Sequence, residues 1–382
     1  MPMSQPQPNT ARAHWWRPLP GLMLTLVVTL AALFLSEVGG AFILRLMGFD
    51  PAGKGSPLAV PSVAVLLGVL LGNTLSLPGW LKPGIQFSVK KLLRLGIILV
   101  GIKLSLLELA ALGAWGVPIV VVSIATGLLT ISWLNRALGL PERLGTLTAV
   151  GTSICGVTAI LSIAPSIEAD EQEVAYAVAN VTLFGLLAMF TYPYLAPLLL
   201  PSSTQVGLFL GTAIHDTSQV VGAALTYREL HHDDLAFKVA TVTKLLRNLF
   251  LVAVVPLAAY LHAKRKGVAG ARTFALRRIF PVFILGFVAM ALVRTAGDAL
   301  LERTGSVLGL ADRAGWQAAT GLVGEKIGAK YLLAMALAGV GLETRFAMFR
   351  QVGWKPLAVG MLGALVVGLA GLLMALAVGP LL

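Results

Sequence analysis

The chain has 382 residues, of which 57% are hydrophobic and only 12% are charged. Soluble globular proteins usually carry about a quarter charged residues, so this composition excludes that class. The single cysteine, Cys155, excludes an internal disulfide and a metal site built from several cysteines. The formal net charge of +12 would suit nucleic-acid binding, but the placement of the charges predicts membrane topology instead, with no nucleic acid as partner.

Long apolar runs such as GLMLTLVVTLAALFL, near the N-terminus, are typical of transmembrane helices once they exceed about 18 residues. A Pro-rich polar tail over 1–20 precedes eleven such segments. They fall near 21–46, 58–77, 90–107, 115–134, 145–165, 174–200, 204–226, 236–262, 278–297, 327–345 and 354–380. The sequence therefore predicts an all-α polytopic membrane protein, with about 11 transmembrane helices in a single transporter domain over 21–382.

The basic residues lie unequally on the two sides of these predicted helices. With the N-terminus inside, the inner ends collect Lys and Arg, including the predicted membrane-surface anchors Lys90, Lys91 and Arg94, whereas outer loops collect acids such as Glu171 and Asp234. Because cytoplasmic loops are enriched in Lys and Arg, the pattern predicts a multi-pass protein of the bacterial inner membrane. Its N-terminus would be cytoplasmic and its C-terminus outside.

Faint internal repeats are also present. The stretch KLLRLGIILVGIKL (91–104) is similar to KLLRNLFLVAVVPL (244–257), five predicted helices later. An odd number of helices reverses the orientation in the membrane, so this similarity predicts inverted five-helix repeats over about 58–200 and 204–380. A second similarity, between GIKLSL and GVGLET, implies a different register and leaves the repeat assignment open.

Ionisable groups interrupt three of the apolar segments at about the same depth. At a rise of about 1.5 Å per residue, His215 and Asp216 lie roughly 15 Å into the seventh segment. Lys244 and Arg247 lie at a comparable depth in the eighth, as does GTSICGVTAI (151–160) in the fifth. Charges at the bilayer centre cost at least a few kcal/mol and usually face a cavity or a partner. The pattern predicts that a solute binds near the membrane midplane.

The motif GTSICG predicts an unwound helix in the fifth segment. Gly151 and Gly156 weaken the helix, and unwound backbone is tolerated in a membrane only where it lines a cavity or is buried in protein. The resulting half-helix would present its N-terminus to an anion, with Thr152 and Ser153 as hydroxyl donors. A small-residue packing face between helices is the alternative.

The charged residues also leave alternatives open. Lys244 and Arg247 share one helix face, which suits either an anionic substrate or a structural ion pair with Asp216. His215 and Asp216 have the chemistry of a proton relay or of a satisfied hydrogen-bond network. Cys155 completes the residue types of a cysteine hydrolase, but no spacing supports that site, so we expect no enzyme activity. No cofactor or metal motif is present.

The sequence resembles the YeiH-type family, whose members are named sulfate exporters, in the stretches GTSICGVTAILSIAPSIEADEQEVAYA and GTAIHDTSQVVGAA. The similarity runs from about residue 20 to the end. That family is placed with the sodium–proton antiporter and bile-acid symporter superfamily. The resemblance implies two crossed broken helices, with breaks near 151–156 and 339–343, elevator-type movement and a homodimer. The residues that match its motifs are Ser153, Cys155, Gly156, His215, Asp216, Thr217, Ser218, Gln219, Lys244 and Arg247.

Together, these observations predict a secondary active transporter in the lipid bilayer that exports a small inorganic or organic anion, such as sulfate or another sulfur-containing anion. Coupling to H⁺ or Na⁺ would use His215 and Asp216. The predicted substrate-binding residues are Thr152, Ser153, Cys155, Gly156, Thr217, Ser218, Gln219, Lys244 and Arg247. Two other hypotheses remain: a cation/proton antiporter that uses Asp216, and a non-transporting membrane scaffold or sensor.

Overall fold

A computed structural model describes residues 16–48, 50, 56–265, 280–307, 309–350 and 352–381. Within these ranges the regular structure is helical, apart from one isolated β-bridge between Val307 and Ala311. Most of the tail predicted over 1–20, and the basic stretch 266–279, lie outside the described residues.

The helices follow the predicted apolar segments in chain order. The first eight are α1 (Leu19–Leu46), α2 (Val60–Thr74), α3 (Lys82–Phe87), α4 (Leu93–Val100), α5 (Leu106–Ala137), α6 (Glu142–Ser153), α7 (Val157–Ile163) and α8 (Glu171–Leu199). The others described are α9 (Ser203–Ala213), α10 (Thr217–His231), α11 (Asp234–Leu249), α12 (Leu251–Arg265), α13 (Phe283–Thr304), α14 (Arg313–Gly321), α15 (Ala334–Glu343), α16 (Ala347–Arg350) and α17 (Trp354–Val378). Two π-helical stretches, Ser88–Leu92 and Leu322–Leu333, join α3 to α4 and α14 to α15.

In the described part of the chain, six helical stretches are long and apolar enough, by length and composition, to cross a membrane. They are Leu19–Leu46, Leu106–Ala137, Glu171–Leu199, Asp234–Arg265, Phe283–Thr304 and Trp354–Val378. Large apolar side chains on these helices are exposed, for example Leu129 at 72% and Leu198 at 79%, as expected for surfaces that face lipid rather than water. The polytopic helical class is thus confirmed, while the count of eleven crossings stays a prediction.

The centre of the bundle is formed by shorter helices. Helices α9 and α10 are buried along almost their whole length, and they pack with α11 among α5, α8 and α17. Buried side chains such as Leu210, Val220 and Phe237 form this interior. Polar groups carried by α9, α10 and α11 are therefore held inside the protein, away from lipid.

One expectation about the broken helices is wrong. The break predicted near 339–343 is absent, because α15 runs without interruption from Ala334 to Glu343. Its glycines serve close packing instead: a Cβ on Gly341 would lie 2.3 Å from the backbone oxygen of Val65, and a Cβ on Gly68 would lie 2.5 Å from that of Ala338. These glycines let α2 and α15 cross in direct backbone contact.

The two interruptions lie elsewhere in the chain. The fifth segment breaks at Ile154–Gly156, between α6 and α7, inside the range 151–156 predicted for a break. The seventh segment breaks at Ile214–Asp216, between α9 and α10, where we predicted one continuous helix. The inverted-repeat and elevator arrangement stays a prediction.

Candidate functional site

The two interruptions are in direct contact. Gly156 has φ of +69° and ψ of −130°, a conformation that residues with a Cβ rarely adopt. A Cβ at this position would also lie 2.6 Å from the Asp216 Oδ2 atom. Only glycine therefore allows the break between α6 and α7 to lie against the start of α10.

The HDTSQ motif begins α10. The Asp216 Oδ1 atom accepts hydrogen bonds from the Ser218 backbone N–H (2.9 Å) and from the Ser218 hydroxyl (2.7 Å). The Gln219 side-chain oxygen accepts from the Asp216 backbone N–H (3.0 Å), and its amide nitrogen donates to the Thr182 carbonyl (3.2 Å). This reciprocal capping box satisfies N–H groups that a helix start leaves unpaired. Asp216, Ser218 and Gln219 thus have a structural role in addition to any role in binding.

Lys244 lies beneath this contact and is 1% exposed. Its Nζ atom donates to the carbonyls of Ile154 (2.9 Å), Ile214 (3.2 Å) and His215. All three acceptors belong to the interruptions, where helix ends leave carbonyls without intrahelical partners. Lys244 therefore ties the two breaks together.

Arg247, one helical turn later on α11, is fully buried. Its Nε atom donates to the Ser153 carbonyl (2.7 Å), Nη1 donates to the Thr212 and Ile214 carbonyls (2.7 and 3.0 Å), and Nη2 donates to the Thr152 carbonyl. These carbonyls lie at the C-terminal ends of α6 and α9, where a positive charge is favourable. Lys244 and Arg247, the basic residues predicted to bind the substrate, thus donate their hydrogen bonds to backbone carbonyls.

Three other predicted site residues are buried in the same crossing. Thr152 and Ser153 lie at the end of α6, where their carbonyls accept from Arg247. His215 is 1% exposed, and among the described residues neither of its ring nitrogens has a hydrogen-bond partner of good geometry. The Ser153 hydroxyl is also buried without a partner. None of the three lines the neighbouring cavity.

A cavity of about 730 Å³ reaches both interruptions. Five predicted site residues line it: Cys155, Asp216, Thr217, Ser218 and Gln219. Gly156 contacts Asp216 at its base, whereas Thr152, Ser153, His215, Lys244 and Arg247 lie behind the wall. The structure therefore brings all the predicted residues to one crossing but gives only some of them access to a solute.

Several polar residues on the cavity wall were missed from the sequence. They are Thr158, Ser162 and Thr182, with Lys90, Arg94 and Glu343 also on the wall; Asn248, an amide beside Lys244 and Arg247 in the sequence, lines the cavity too. Thr158 and Ser162 are four residues apart and so share one face of α7. Two hydroxyls at that spacing in an apolar segment indicate a polar helix face, so these residues could have been identified from the sequence. Lys90 and Arg94, predicted to be surface anchors, are exposed and also line the cavity.

Among the described residues, the formal charge balance around the cavity is positive. On the wall, Lys90 and Arg94 offset Asp216 and Glu343 in formal charge. Lys244 and Arg247, directly behind the wall, add two positive charges that carbonyls contact but do not neutralise. In a low-dielectric surrounding the charges behind the wall act on the cavity with little screening.

An ion cluster lies at the opposite end of the same helices. The Lys103 Nζ atom is 2.7 Å from Asp234 Oδ1 and 3.4 Å from Glu325 Oε2, and Arg228 Nη1 is 3.7 Å from Asp234. Lys103 follows Lys90 by thirteen residues along a helical path, about 20 Å. The cluster therefore holds α10, α11 and the end of α4 together on the side away from Lys90.

The comparisons with known proteins agree on a membrane-protein family. The family model described as conserved hypothetical protein 698 matches residues 20–360. A UPF0324 membrane protein of Streptococcus pyogenes serotype M3 is 32% identical over 364 residues, covering 95% of this chain and 98% of that protein. One from Bacillus cereus is 30% identical, with 94% of each chain covered.

A solved structure was also matched. The sodium proton antiporter of Methanocaldococcus jannaschii, at pH 8, covers 93% of this chain and 99% of its own, with 15% identity and a TM-score of 0.24. That score is too low to support an argument, and the names of the relatives above state no substrate. Since the family model spans most of the sequence, the chain belongs to the conserved hypothetical protein 698 family, with relatives named UPF0324 membrane proteins.

Proposed function

We propose that this protein is a secondary active transporter that moves a small anion across the bacterial inner membrane. The observation that carries the proposal is the cavity that reaches two interrupted helices inside a bundle of membrane-crossing helices. Irregular backbone at membrane depth is tolerated where it is buried in protein or lines a cavity, and transporters build their substrate sites at such interruptions.

The chemistry of the wall favours an anion. The hydroxyls of Thr158 and Thr217 and the second amide hydrogen of Asn248 supply neutral donors, and the buried pair Lys244 and Arg247 supplies the excess positive charge. Sulfate or another sulfur-containing anion, as the resemblance to the sulfate exporters implies, is the first candidate. Binding would not require Lys244 or Arg247 to touch the anion.

The two ends of the bundle support alternating access. The cavity contains Lys90 and Arg94, on the side predicted to be cytoplasmic, and the cluster around Lys103 and Asp234 closes the other side. Transport would then require that cluster to open. Export as the direction of transport, coupling to H⁺ or Na⁺, elevator-type movement, a homodimer and the absence of enzyme activity belong to the same proposal.

A cation/proton antiporter is the second candidate, because the Asp216 carboxylate lines the cavity. A carboxylate open to a water-filled pocket in a membrane is the group that such an antiporter requires. This candidate predicts cation binding that depends on Asp216.

A thermal-shift panel tests the proposal. The purified protein is melted in a sodium-free buffer with sulfate, sulfite, methanesulfonate or chloride at constant ionic strength, and at two pH values. A ligand of the folded state raises the melting temperature by mass action, so we expect a saturable rise with one of the sulfur oxyanions. The same titrations with Na⁺ added report coupling.

Matched variants locate the binding. Thr158→Ala, on the cavity wall, should reduce the shift, whereas Thr191→Ala, which removes an exposed hydroxyl of α8 bonded to the Leu187 carbonyl, should leave it unchanged. The proposal fails if no anion shifts the melting temperature, or if only cations do so and the effect disappears in Asp216→Asn.

A further inference from the structure

The surroundings of the Lys244 ammonium have the composition of a cation site. Its three partners are backbone carbonyl oxygens, at 2.9 Å (Ile154), at 3.2 Å (Ile214) and in a short contact (His215). Within the described part of the chain, no ion pair joins Lys244 to a carboxylate. The hydrogen bonds of this nitrogen therefore all go to carbonyl oxygens, which are also ligands for bound metal cations.

The hydrogen bonds indicate a charged ammonium. A protonated lysine has three N–H donors, and three carbonyl acceptors surround Nζ. A neutral amine would leave one of these contacts without a hydrogen, in a site that is 1% exposed. The positive charge is also suited to its place, because carbonyls at interrupted helices carry negative dipole ends.

Interrupted helices commonly use such carbonyls to hold a mobile cation such as Na⁺. In this chain the acceptors come from both interruptions, so the cation at their centre fixes the α6–α7 break against the α9–α10 break. We propose that the Lys244 ammonium is a tethered substitute for a monovalent cation, and that these carbonyls form a latent cation site which a free ion can occupy once the side chain is removed.

Arg247 does not share this property. Its partners surround a planar fork of three nitrogens, a shape that a spherical ion cannot reproduce. The Lys244 site is compact and centred on one atom. Ammonium and K⁺, which are similar in size to a lysine ammonium group, should therefore fit it better than the smaller Na⁺.

The test compares three proteins in detergent: wild type, Lys244→Ala and Lys238→Ala. Lys238 lies on the same helix, and its amine is 4.0 Å from an Asp234 carboxylate rather than among carbonyls. Melting temperatures are measured in chloride salts of ammonium, K⁺, Na⁺ and N-methylglucamine at constant ionic strength. We expect wild type and Lys238→Ala each to melt at the same temperature in ammonium, K⁺ and N-methylglucamine, and to respond to Na⁺ alike. In N-methylglucamine, Lys244→Ala should melt at a lower temperature than wild type. Ammonium or K⁺ should raise the melting temperature of this variant by about 5 °C, with a saturable dependence on concentration.

Each other result overturns the inference. It fails if Lys244→Ala responds equally to all four cations, or if wild type shows the same saturable response to ammonium or K⁺ as Lys244→Ala. If Lys244→Ala is unfolded in N-methylglucamine, the variant is instead extracted from membranes in ammonium and in K⁺ salts. Recovery of folded protein in these salts supports the inference. Unfolding in every salt contradicts it. No anion and no flux enters these readings, so they stand apart from the proposed transport.

Discussion

Arg247→Ala should destabilise the protein more than the loss of any exposed ion pair. The change removes the hydrogen bonds to the carbonyls of Thr152, Ser153, Thr212 and Ile214. Each buried acceptor left unpaired costs about 1–3 kcal/mol, and breaking a buried charged network costs about 3–5 kcal/mol. We expect the melting temperature to fall by about 10 °C, measured by thermal unfolding in detergent.

Arg265→Ala is the matched control. Arg265 Nη1 lies 3.0 Å from Glu142 Oε1, but the two side chains are 49% and 42% exposed, so their pairing should contribute less than about 1 kcal/mol. Arg247→Lys keeps the charge without the planar fork and should recover only part of the stability. If Arg247→Ala melted within a degree or two of Arg265→Ala, the crossing would not depend on this side chain.

Asp216→Asn should leave the fold intact and strengthen anion binding. Asparagine caps a helix about as well as aspartate, so α10 should still begin at this position. Removing the carboxylate takes a negative charge from the wall, so the anion dissociation constant should fall about tenfold, which corresponds to about 1.4 kcal/mol. Titration of the anion that responds in the thermal-shift panel measures this change.

The control for this change is Asp216→Ala, which removes both the charge and the cap. Its free energy of unfolding should fall by the cost of a lost cap, about 1 kcal/mol, which lowers the melting temperature. Its affinity for the anion should resemble that of Asp216→Asn. Loss of transport in Asp216→Asn, with the fold retained and no gain in anion affinity, would instead support the cation/proton antiporter.

Much of the helical framework could be predicted from the sequence because long apolar runs are local signals. The positions of α1, α5 and α17 follow directly from such runs. The break at Gly156 could also be predicted, since glycines beside small polar residues weaken a helix locally. The start of α10 was missed, although the pair Asp216 and Gln219 has the spacing of a capping box.

The parts that could not be predicted depend on long-range contacts. Gly341 follows the same local pattern as a helix-breaking glycine, yet its role is set by Gly68, far away in the chain. Lys244 and Arg247 were correctly placed at the level of the breaks. Their acceptors, however, are carbonyls some 30 to 95 residues away, and a one-dimensional pattern of side chains does not show where backbone carbonyls point.

The polar residues of the HDTSQ motif illustrate both limits. We predicted a solute site from their position in an apolar segment, and the cavity does reach Asp216, Thr217 and Ser218. His215, which we predicted to couple ions, is buried behind the wall, and among the described residues its ring nitrogens have no hydrogen-bond partner of good geometry. Its coupling role stays a prediction. The sequence does not show which residues of a motif face a cavity, because that depends on the folded chain.

Counterflow in proteoliposomes tests most directly whether solutes pass through this cavity. Vesicles that contain the Leu161→Cys variant are preloaded with the anion identified in the thermal-shift panel. Their uptake of the labelled anion is measured before and after treatment with a bulky thiol reagent. Leu161 lines the cavity and is 56% exposed, whereas Leu365, at 58% exposed on α17, does not line it. Both changes are made in a Cys155→Ala background because the native Cys155 also lines the cavity, and we expect uptake that the reagent blocks in Leu161→Cys but not in Leu365→Cys. Absence of uptake for every anion tested, or uptake that persists after Leu161→Cys is fully modified, would contradict transport through this site.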